Sequence, residues 1–140
     1  MTKYFADNFA LVVSLDISSQ MLDLARTNLK NYRNVVFVEL KTPCIPIASA
    51  SFDFAFSYAV FQHMRRKMVE IMFHEVRRVL VTGGIFKAQL RGAPAARSAW
   101  YFGDYWTEKD VRRLSSNTGF QLLNIEGIGK RELWIVVRKR

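Results

Sequence analysis

Cysteine, proline and glycine are scarce in this chain of 140 residues, which contains one, three and seven of them, respectively. The single thiol, Cys44, excludes an internal disulfide bond and favours a reducing compartment. Cys44 lies between Pro43 and Pro46 with no histidine nearby, so we do not expect a catalytic thiol. The earliest glycine is Gly83, so the first half of the sequence contains no glycine-rich turn.

Long apolar runs are missing as well. A membrane-spanning helix needs roughly 20 consecutive apolar residues, and no stretch of this sequence approaches that length. Residues 1–8 also lack the apolar region of a secretory signal peptide. We therefore expect a cytoplasmic protein that does not enter a membrane.

Acidic residues are few relative to basic ones. The chain has 12 Asp and Glu residues against 21 Lys and Arg residues, which gives a net charge of +9 at pH 7. Such a surface attracts anions, and nucleic acid is one class of anionic partner. Because the basic residues are spread along the chain and not gathered into one tract, nucleic-acid binding is an alternative and not the first hypothesis.

Hydrophobic residues make up 50% of the chain, and together with its length this predicts a packed core. We expect a single domain over residues 1–140. The apolar periodicities predict helices alternating with strands. The predicted helices cover residues 2–9, 19–31 and 67–80, and the predicted strands cover residues 10–16, 34–39, 52–57, 85–90, 121–125 and 133–137. A fourth helix is predicted to begin at Thr107, as N-cap with Asp110 in the capping-box position, and to end at Gly119.

The helix over residues 67–80 is the most strongly amphipathic segment. We expect Gly83 and Gly84 to end it. The residues predicted to face inward are Met68, Met72, Val76 and Val79.

The strand over residues 85–90 alternates in part. Lys87 and Gln89 stand between apolar neighbours, which predicts that one face of this strand is less deeply covered. The last two strands are joined by a short link that contains glycine, which predicts an antiparallel hairpin.

The sequence is organised around residues 10–16, an apolar run that ends in Asp16. The lack of alternation predicts a parallel strand covered on both faces, and Ser18 is a good N-cap for the next helix. The carboxylate of Asp16 is therefore expected at the C-terminal edge of a sheet, where open α/β sheets bind ligands. An acid at this position can accept hydrogen bonds from the hydroxyls of a ribose.

Several segments, in their order along the chain, resemble class I S-adenosylmethionine-dependent methyltransferases of the small-molecule, ubiquinone-biosynthesis-like type. The segments are residues 13–18 with Met21 and Leu22, residues 51–57 running into residues 61–63, residues 78–86, and the closing strand over residues 133–139. The resemblance implies an α/β fold: a Rossmann-like three-layer sandwich with a mostly parallel sheet and a C-terminal antiparallel hairpin, missing the family's first strand.

The resemblance also implies S-adenosylmethionine as the cofactor. Asp16 would bind its ribose, and Ile17 and Met21 would lie against its adenine. The residues that would line the floor near its methionine part follow the third strand: Ser57, Tyr58 and Ala59.

An unidentified small molecule would be the methyl acceptor. The resemblance places His63 close to the methyl donor or the acceptor, although a histidine at a helix start can also cap or pack. Trp100 and Tyr105 belong to an aromatic segment that could orient the acceptor. For Trp106, at the end of that segment, we favour a role in closing the core. No metal site is expected.

The chain departs from the family pattern in two places. The family's first strand and glycine-rich loop would precede residue 1, and residues 40–42 carry no acid where the family commonly has one that binds the adenine amino group. Glu39 is the nearest acid, although it stands before that position.

Without the first strand, which is central in the family's sheet, the edges of the strands over residues 10–16 and 52–57 would be exposed. We expect these two edges to pair directly, or else to pair across subunits, and in either case we expect a homodimer or a partner protein on the exposed edges.

These departures shape the functional hypothesis. The expected function is that of an S-adenosylmethionine-dependent methyltransferase-like protein that is weak or inactive on its own, because the glycine-rich loop would contact the methionine end of the cofactor. The alternative is a non-catalytic interaction module or a basic nucleic-acid-binding domain built on the same fold.

Overall fold

The computed structural model describes residues 1–92 and 103–140. The chain forms two compact units, Met1–Cys44 and Ile45–Arg140, here called unit 1 and unit 2. The predicted acceptor-side residue Trp100 lies outside the described residues. In the described ranges, no helix has both the length and the apolar character needed to cross a bilayer.

Unit 1 contains two helices and two parallel strands. Its elements are α1 (Thr2–Asn8), β1 (Val12–Asp16), α2 (Ser19–Asn28) and β2 (Val35–Glu39). The two strands pair in parallel from Val12 opposite Val35 to Asp16 opposite Glu39. The predicted parallel strand is thus confirmed, but β1 is half-buried along its whole length and not fully covered.

The turn between β1 and α2 follows the prediction closely. The Ser18 hydroxyl accepts a hydrogen bond from the Met21 N–H at 3.3 Å, which is the expected N-cap contact. The helix buries Leu22 and ends three residues before the predicted stop at Asn31. Local capping chemistry therefore fixes where α2 begins.

Unit 2 is built on a four-stranded mixed sheet. Its elements are β3 (Phe52–Ser57), a 3₁₀ turn (Phe61–His63), α3 (Arg66–Val79), β4 (Leu80–Arg91), α4 (Glu108–Asn117), β5 (Phe120–Glu126) and β6 (Glu132–Lys139). The strand order is β3-β4-β6-β5, with β3 parallel to β4, and β6 antiparallel to both β4 and β5. The predicted C-terminal hairpin is confirmed.

The expected direct pairing of β1 with β3 is wrong. In the part of the chain that the structure describes, β1 and β2 form one sheet and β3, β4, β6 and β5 form another. The expectation was based on covering apolar edges, and hydrophobic burial is non-directional. Hydrophobic burial favours covering an apolar strand edge by any apolar surface. It does not select the particular strand whose backbone would form a ladder of hydrogen bonds with that edge.

An aromatic cluster forms the core of unit 2. Phe73 of α3 lies 5.1 Å from Phe86 of β4 and 6.1 Å from Phe120 of β5, measured between ring centroids. All three side chains are fully buried. Ring pairs at these distances add to the stabilisation from buried area, so the cluster holds α3 against the sheet.

The inward face of α3 differs from the prediction. The buried residues are Val69, Phe73, Val76 and Val79, whereas Met68 is exposed and Met72 is half-buried. Two neighbouring apolar stripes run along this helix, and a 3.6-residue period alone does not choose between them. Phe73 decides the choice because its ring fits between Phe86 and Phe120.

The junction between α3 and β4 also differs from the prediction. The helix ends at Val79 and β4 begins directly at Leu80, so Gly83 and Gly84 lie inside the strand. Gly83 has φ +83, and the pairing of β3 with β4 shifts register between Phe52 and Phe54. The glycines therefore accommodate an irregularity of the strand and do not end the helix.

The segment that leads into β3 is anchored on α3. Arg78 donates hydrogen bonds to the carbonyl oxygens of Ile45 at 2.7 Å and Ile47 at 2.8 Å. The Glu75 carboxylate accepts a hydrogen bond from the Ile45 N–H at 2.8 Å and pairs with Arg78 at 2.9 Å. One ion pair thus satisfies the backbone groups of a loop that lacks regular structure.

A second ion pair joins α3 to α4. The Arg66 guanidinium makes a bidentate contact with the Asp110 carboxylate at 2.6 and 2.9 Å, and it lies 5.0 Å from the Trp106 ring centroid. Asp110 also completes the predicted capping box with Thr107. The Arg66 hydrogen bond holds the pKa of the Asp110 carboxyl well below its usual range.

Replacing Asp110 tests this pair. Asp110→Asn removes the charge of a side chain that is 15% exposed, and we expect the free energy of unfolding at pH 7 to fall by about 1.5–3 kcal/mol. Glu108→Gln is the matched control, because it removes one negative charge in the same helical turn from an ion pair that is more exposed. The side chain of Glu108 is 41% exposed and that of its partner Arg112 is 64% exposed. We expect the control to cost less than about 1 kcal/mol.

Urea unfolding measures both variants. Because the folded-state pKa of Asp110 lies below the unfolded value, its stabilisation is present above about pH 4 and is lost as the pH falls toward the folded pKa. The difference between wild type and Asp110→Asn should therefore narrow in acid. Equal losses of unfolding free energy in Asp110→Asn and Glu108→Gln at pH 7 would contradict a stabilising role of the Arg66–Asp110 pair.

Candidate functional site

Asp16 ends β1 with its carboxylate held in place. Its Oδ1 accepts a hydrogen bond from the Ser18 N–H at 2.9 Å, and its carbonyl oxygen accepts one from the Leu40 N–H at 2.8 Å. The residue is half-buried. Within the described residues no protein donor contacts Oδ2, so this oxygen can accept a hydrogen bond from a ligand.

Two apolar side chains accompany this acid. Ile17, in the turn between β1 and α2, is 77% exposed, and Met21, in the first turn of α2, is 54% exposed. Glu39, at the end of β2, stands opposite Asp16 in the strand register and is also exposed. Asp16, Ile17 and Met21 thus lie within six residues of one another where β1 leads into α2, and their role at a cofactor stays a prediction.

These groups fit an adenosine. The carboxylate oxygens suit the hydroxyl donors of a ribose, and the exposed apolar side chains suit the faces of a purine ring. An isoleucine with 77% of its surface exposed gains from such a contact because covering it removes apolar area from water.

The residues predicted to line the methionine part of the cofactor lie at the end of β3 and directly after it, in unit 2. Tyr58 is 47% exposed, and its ring stacks on the Trp134 ring at 5.5 Å with an interplanar angle of 1°. Ala59 has φ +58, in the left-handed region that non-glycine residues rarely occupy. The Ala59 N–H donates to Gln89 Oε1 at 2.9 Å. Strain of this kind persists only where surrounding contacts hold it.

Gln89 is the site residue that sequence reasoning missed. We predicted it on a less covered face of β4, but it is only 2% exposed. The less covered face is confirmed at Lys87, which is half-buried, and the prediction is wrong at Gln89 alone. Alternation detects a polar residue but not its partners, and both ends of the Gln89 amide are hydrogen-bonded, to Ala59 and to Gln62. A lone amide within the apolar run of residues 85–90 was the signal that could have identified it.

His63 and Tyr105 both lie at the 3₁₀ turn. His63 is exposed, and its Nε2 lies 3.1 Å from Gln62 Nε2. The Gly103 N–H donates to the Gln62 carbonyl at 3.2 Å, and the Asp104 N–H donates to the Met64 carbonyl at 3.3 Å. These bonds bring the backbone next to Tyr105 against the turn that carries His63.

Tyr105 and Trp106 differ in exposure. Tyr105 is 53% exposed, and its carbonyl oxygen accepts a hydrogen bond from Arg66 Nη2 at 2.7 Å. Trp106 is 4% exposed, so its predicted role in closing the core is confirmed. Tyr105 therefore stays the aromatic candidate for the acceptor side among the described residues.

Asp104, the acid near this turn, holds the backbone in place and is not a candidate catalytic group. Asp104 accepts hydrogen bonds from the Arg66 N–H at 2.9 Å and from Arg65 at 3.2 Å, and the first of these does most to lower the pKa of its carboxyl. A carboxyl group whose pKa is lowered is a poor general base near neutral pH. In the two described ranges, no three His, Cys, Asp or Glu side chains are grouped to hold a metal ion.

A shallow depression of about 580 Å³ opens at the turn between β5 and β6. Glu132 in its wall pairs in register with Arg91, the last residue of β4, so the depression lies at the same sheet edge as the residues after β3. The residues that line it are Glu126, Gly127, Lys130, Arg131, Glu132 and Trp134.

Comparisons with known proteins agree with this geometry. A sequence profile described as a methyltransferase domain matches residues 1–88. A SAM-dependent methyltransferase of Methanosarcina mazei superposes with a TM-score of 0.78 at 17% identity, covering 99% of this chain and 86% of that one. A search of curated proteins finds no match.

Two further solved structures share the fold. A Haloferax volcanii protein in complex with the Trm112 methyltransferase activator superposes with a TM-score of 0.84 at 15% identity, covering 98% of this chain and 76% of that one. The 1,6-didemethyltoxoflavin-N1-methyltransferase of Burkholderia thailandensis, with bound S-adenosylhomocysteine, superposes with a TM-score of 0.77 at 18% identity. The match covers 99% of this chain and 65% of that one. At these identities the likeness shows the fold, and it confirms the predicted α/β class.

Gly103 lies against the backbone of the 3₁₀ turn, and its substitution tests this placement. A Cβ on this residue would clash with the Gln62 carbonyl oxygen and would meet the Met64 carbonyl oxygen at 2.8 Å. We expect Gly103→Ala to cost about 1–3 kcal/mol locally and to speed hydrogen exchange of the Asp104 amide about tenfold or more. Gly129→Ala, in the turn between β5 and β6, adds backbone strain at φ +77 but its Cβ meets nothing within 4 Å, so it should leave the Asp104 amide unchanged. The same Asp104 exchange rate in both variants would contradict the placement.

Proposed function

We propose, since this chain belongs to the methyltransferase-domain family, that it is an S-adenosylmethionine-binding domain whose methyl transfer to a small molecule is weak or absent on its own. The observation that carries the proposal is Asp16 at the end of β1, with one carboxylate oxygen fixed by the Ser18 N–H and the other open to a ligand. The apolar side chains of Ile17 and Met21 beside it support an adenosine in particular.

Asp16 would orient the cofactor through its ribose. When bound, S-adenosylmethionine supplies a methyl group activated by a sulfonium. The carboxylate of Asp16 accepts hydrogen bonds from the ribose hydroxyls, and the Ser18 N–H holds that carboxylate in one orientation before the ligand arrives. Such preorganisation lowers the entropy cost of binding. Ile17 and Met21 then cover the adenine.

The acceptor side of the proposal rests on unit 2. Methyl transfer needs the donor and the nucleophile in line, and positioning alone supplies much of the acceleration without a covalent intermediate. His63 and Tyr105 are the proposed acceptor-side residues, because both are exposed and lie at the same 3₁₀ turn. The assignment of Ser57, Tyr58 and Ala59 to the methionine part of the cofactor stays a prediction.

Weak binding is part of the proposal. No glycine precedes Gly83 in these 140 residues. A glycine-rich turn lets backbone N–H groups approach an anionic ligand closely, and residues 1–15 supply no such turn to contact the methionine carboxylate. Asp16 then carries a larger share of the cofactor affinity.

Isothermal titration of the protein with S-adenosylmethionine or S-adenosylhomocysteine tests the site. We expect Asp16→Ala to weaken binding by about 1.5–3 kcal/mol, the scale of a hydrogen bond to a charged group. Asp23→Ala is the control, because it removes the same charge from an acid of α2 whose side chain is 73% exposed and contacts Arg26. We expect no change of affinity in the control.

Two results would overturn the proposal. Lack of binding by the wild-type protein at millimolar ligand would remove the enzyme assignment altogether. An Asp16→Ala affinity equal to that of Asp23→Ala would leave cofactor binding in place but move the site away from Asp16.

A second candidate function is that of a partner-binding module. Strands β1 and β3 each end their sheet, since each pairs with a single strand among the described residues. Unpaired backbone groups on such an edge are templates for another chain. A structural neighbour in complex with a methyltransferase activator supports this candidate.

Light scattering over a concentration series tests the homodimer form of this candidate. Pairing through a sheet edge predicts a mass that approaches twice the 16.2 kDa of one chain as the concentration rises. A mass of 16.2 kDa at every concentration would contradict the homodimer.

A further inference from the structure

A chain of side-chain amides connects the strained turn after β3 to His63. The Ala59 N–H donates to Gln89 Oε1 at 2.9 Å, Gln89 Nε2 donates to Gln62 Oε1 at 3.3 Å, and Gln62 Nε2 lies 3.1 Å from His63 Nε2. All four residues belong to unit 2.

The direction of each bond in this chain follows from its first member. A backbone N–H can only donate, so the oxygen of the Gln89 amide must face Ala59 and its NH₂ group must face away. That NH₂ group requires an acceptor, which places the oxygen of Gln62 toward Gln89. The NH₂ group of Gln62 is then the atom that faces His63.

A donor that faces Nε2 of a neutral imidazole requires that nitrogen to be unprotonated. We propose that Gln89 and Gln62 are positioning residues that hold His63 as its neutral Nδ1–H tautomer. His63 then cannot abstract a proton through Nε2, because the lone pair of that nitrogen accepts the Gln62 hydrogen bond. The location of His63 on the acceptor side rests on the proposed function, whereas its tautomer does not.

The burial of Gln89 supports this role. It is 2% exposed, and its neighbours Ala88 and Leu90 in β4 are fully buried. Burying an amide costs free energy unless its donor and its acceptor both form hydrogen bonds. An apolar side chain at the same position would carry no such cost. The φ of +58 at Ala59 indicates that the acceptor end of Gln89 holds a turn that would otherwise relax.

Nitrogen NMR of the uniformly ¹⁵N-labelled protein reads the tautomer directly. The chain has two histidines, and the exposed His74 of α3 serves as the internal reference. Spectra are recorded at about pH 8.5, about two units above the pKa of an unperturbed histidine. We expect the ratio of the Nδ1–H form to the Nε2–H form to be about fivefold or more higher for His63 than for His74, the change that one net hydrogen bond supplies.

Substitution of Gln62 provides the decisive comparison. Gln62→Glu places only acceptor atoms next to His63 Nε2, so the preferred tautomer should change to Nε2–H. Gln62→Ala should lower the share of the Nδ1–H form, and Gln89→Leu should lower it less because Gln62 loses only the bond that orients it. Gln121→Ala, an exposed glutamine of β5, should leave the His63 spectrum unchanged.

A wild-type protein with His63 mainly as Nε2–H would overturn the inference, and so would a tautomer that is the same in Gln62→Glu and wild type. The Gln62 variants keep the test decisive even where Gln89→Leu does not fold. Titration with S-adenosylmethionine separates this inference from the proposed function: a protein that fails to bind the cofactor but shows the Nδ1–H form contradicts only the proposed function.

Discussion

The parallel pairing of β3 with β4 is the constraint on which unit 2 depends. Parallel strands end at the same edge of a sheet, so the turn after Ser57 lies beside the last residues of β4. Gln89 can reach the Ala59 N–H only because of this pairing. The 3₁₀ turn follows immediately and carries Gln62 and His63 into the same network.

The candidate sites in both units consist of hydrogen-bonding groups that are held in a fixed orientation. Asp16 is oriented by a backbone N–H in unit 1, and His63 is faced by an oriented amide in unit 2. The acids whose pKa is lowered, Asp104 and Asp110, join one element to another. Groups that are held in this way can position a ligand without taking part in a covalent step.

The arginines are used in a similar way. Arg66 joins α3 to α4 through Asp110, and Arg78 holds the loop before β3 through the carbonyl oxygens of Ile45 and Ile47. The planar guanidinium satisfies several acceptors at once, which an ammonium group does less well. Part of the excess positive charge of the chain is therefore employed inside the fold.

Residues whose structure depends on near neighbours in the sequence could be predicted. Ser18 and Thr107 were recognised as N-caps, and Gly119 as the glycine that ends α4, because capping involves only three or four residues. The placement of Asp16, Ile17 and Met21 on one turn followed from the strand-to-helix transition. The resemblance gave the α/β class and the C-terminal hairpin, which the fold confirms.

Tertiary structure decided the rest. The inward stripe of α3 depended on where Phe73 meets Phe86 and Phe120, and periodicity cannot select between adjacent stripes. The burial of Gln89 depended on two partners 30 and 27 residues away in the chain. The division into two sheets depended on which strands share a hydrogen-bond ladder. Helix caps, strands and the acid at the end of β1 could be predicted because each depends on residues close together in the sequence. Which polar groups are buried, and how they are oriented, depended on contacts between residues far apart in the chain.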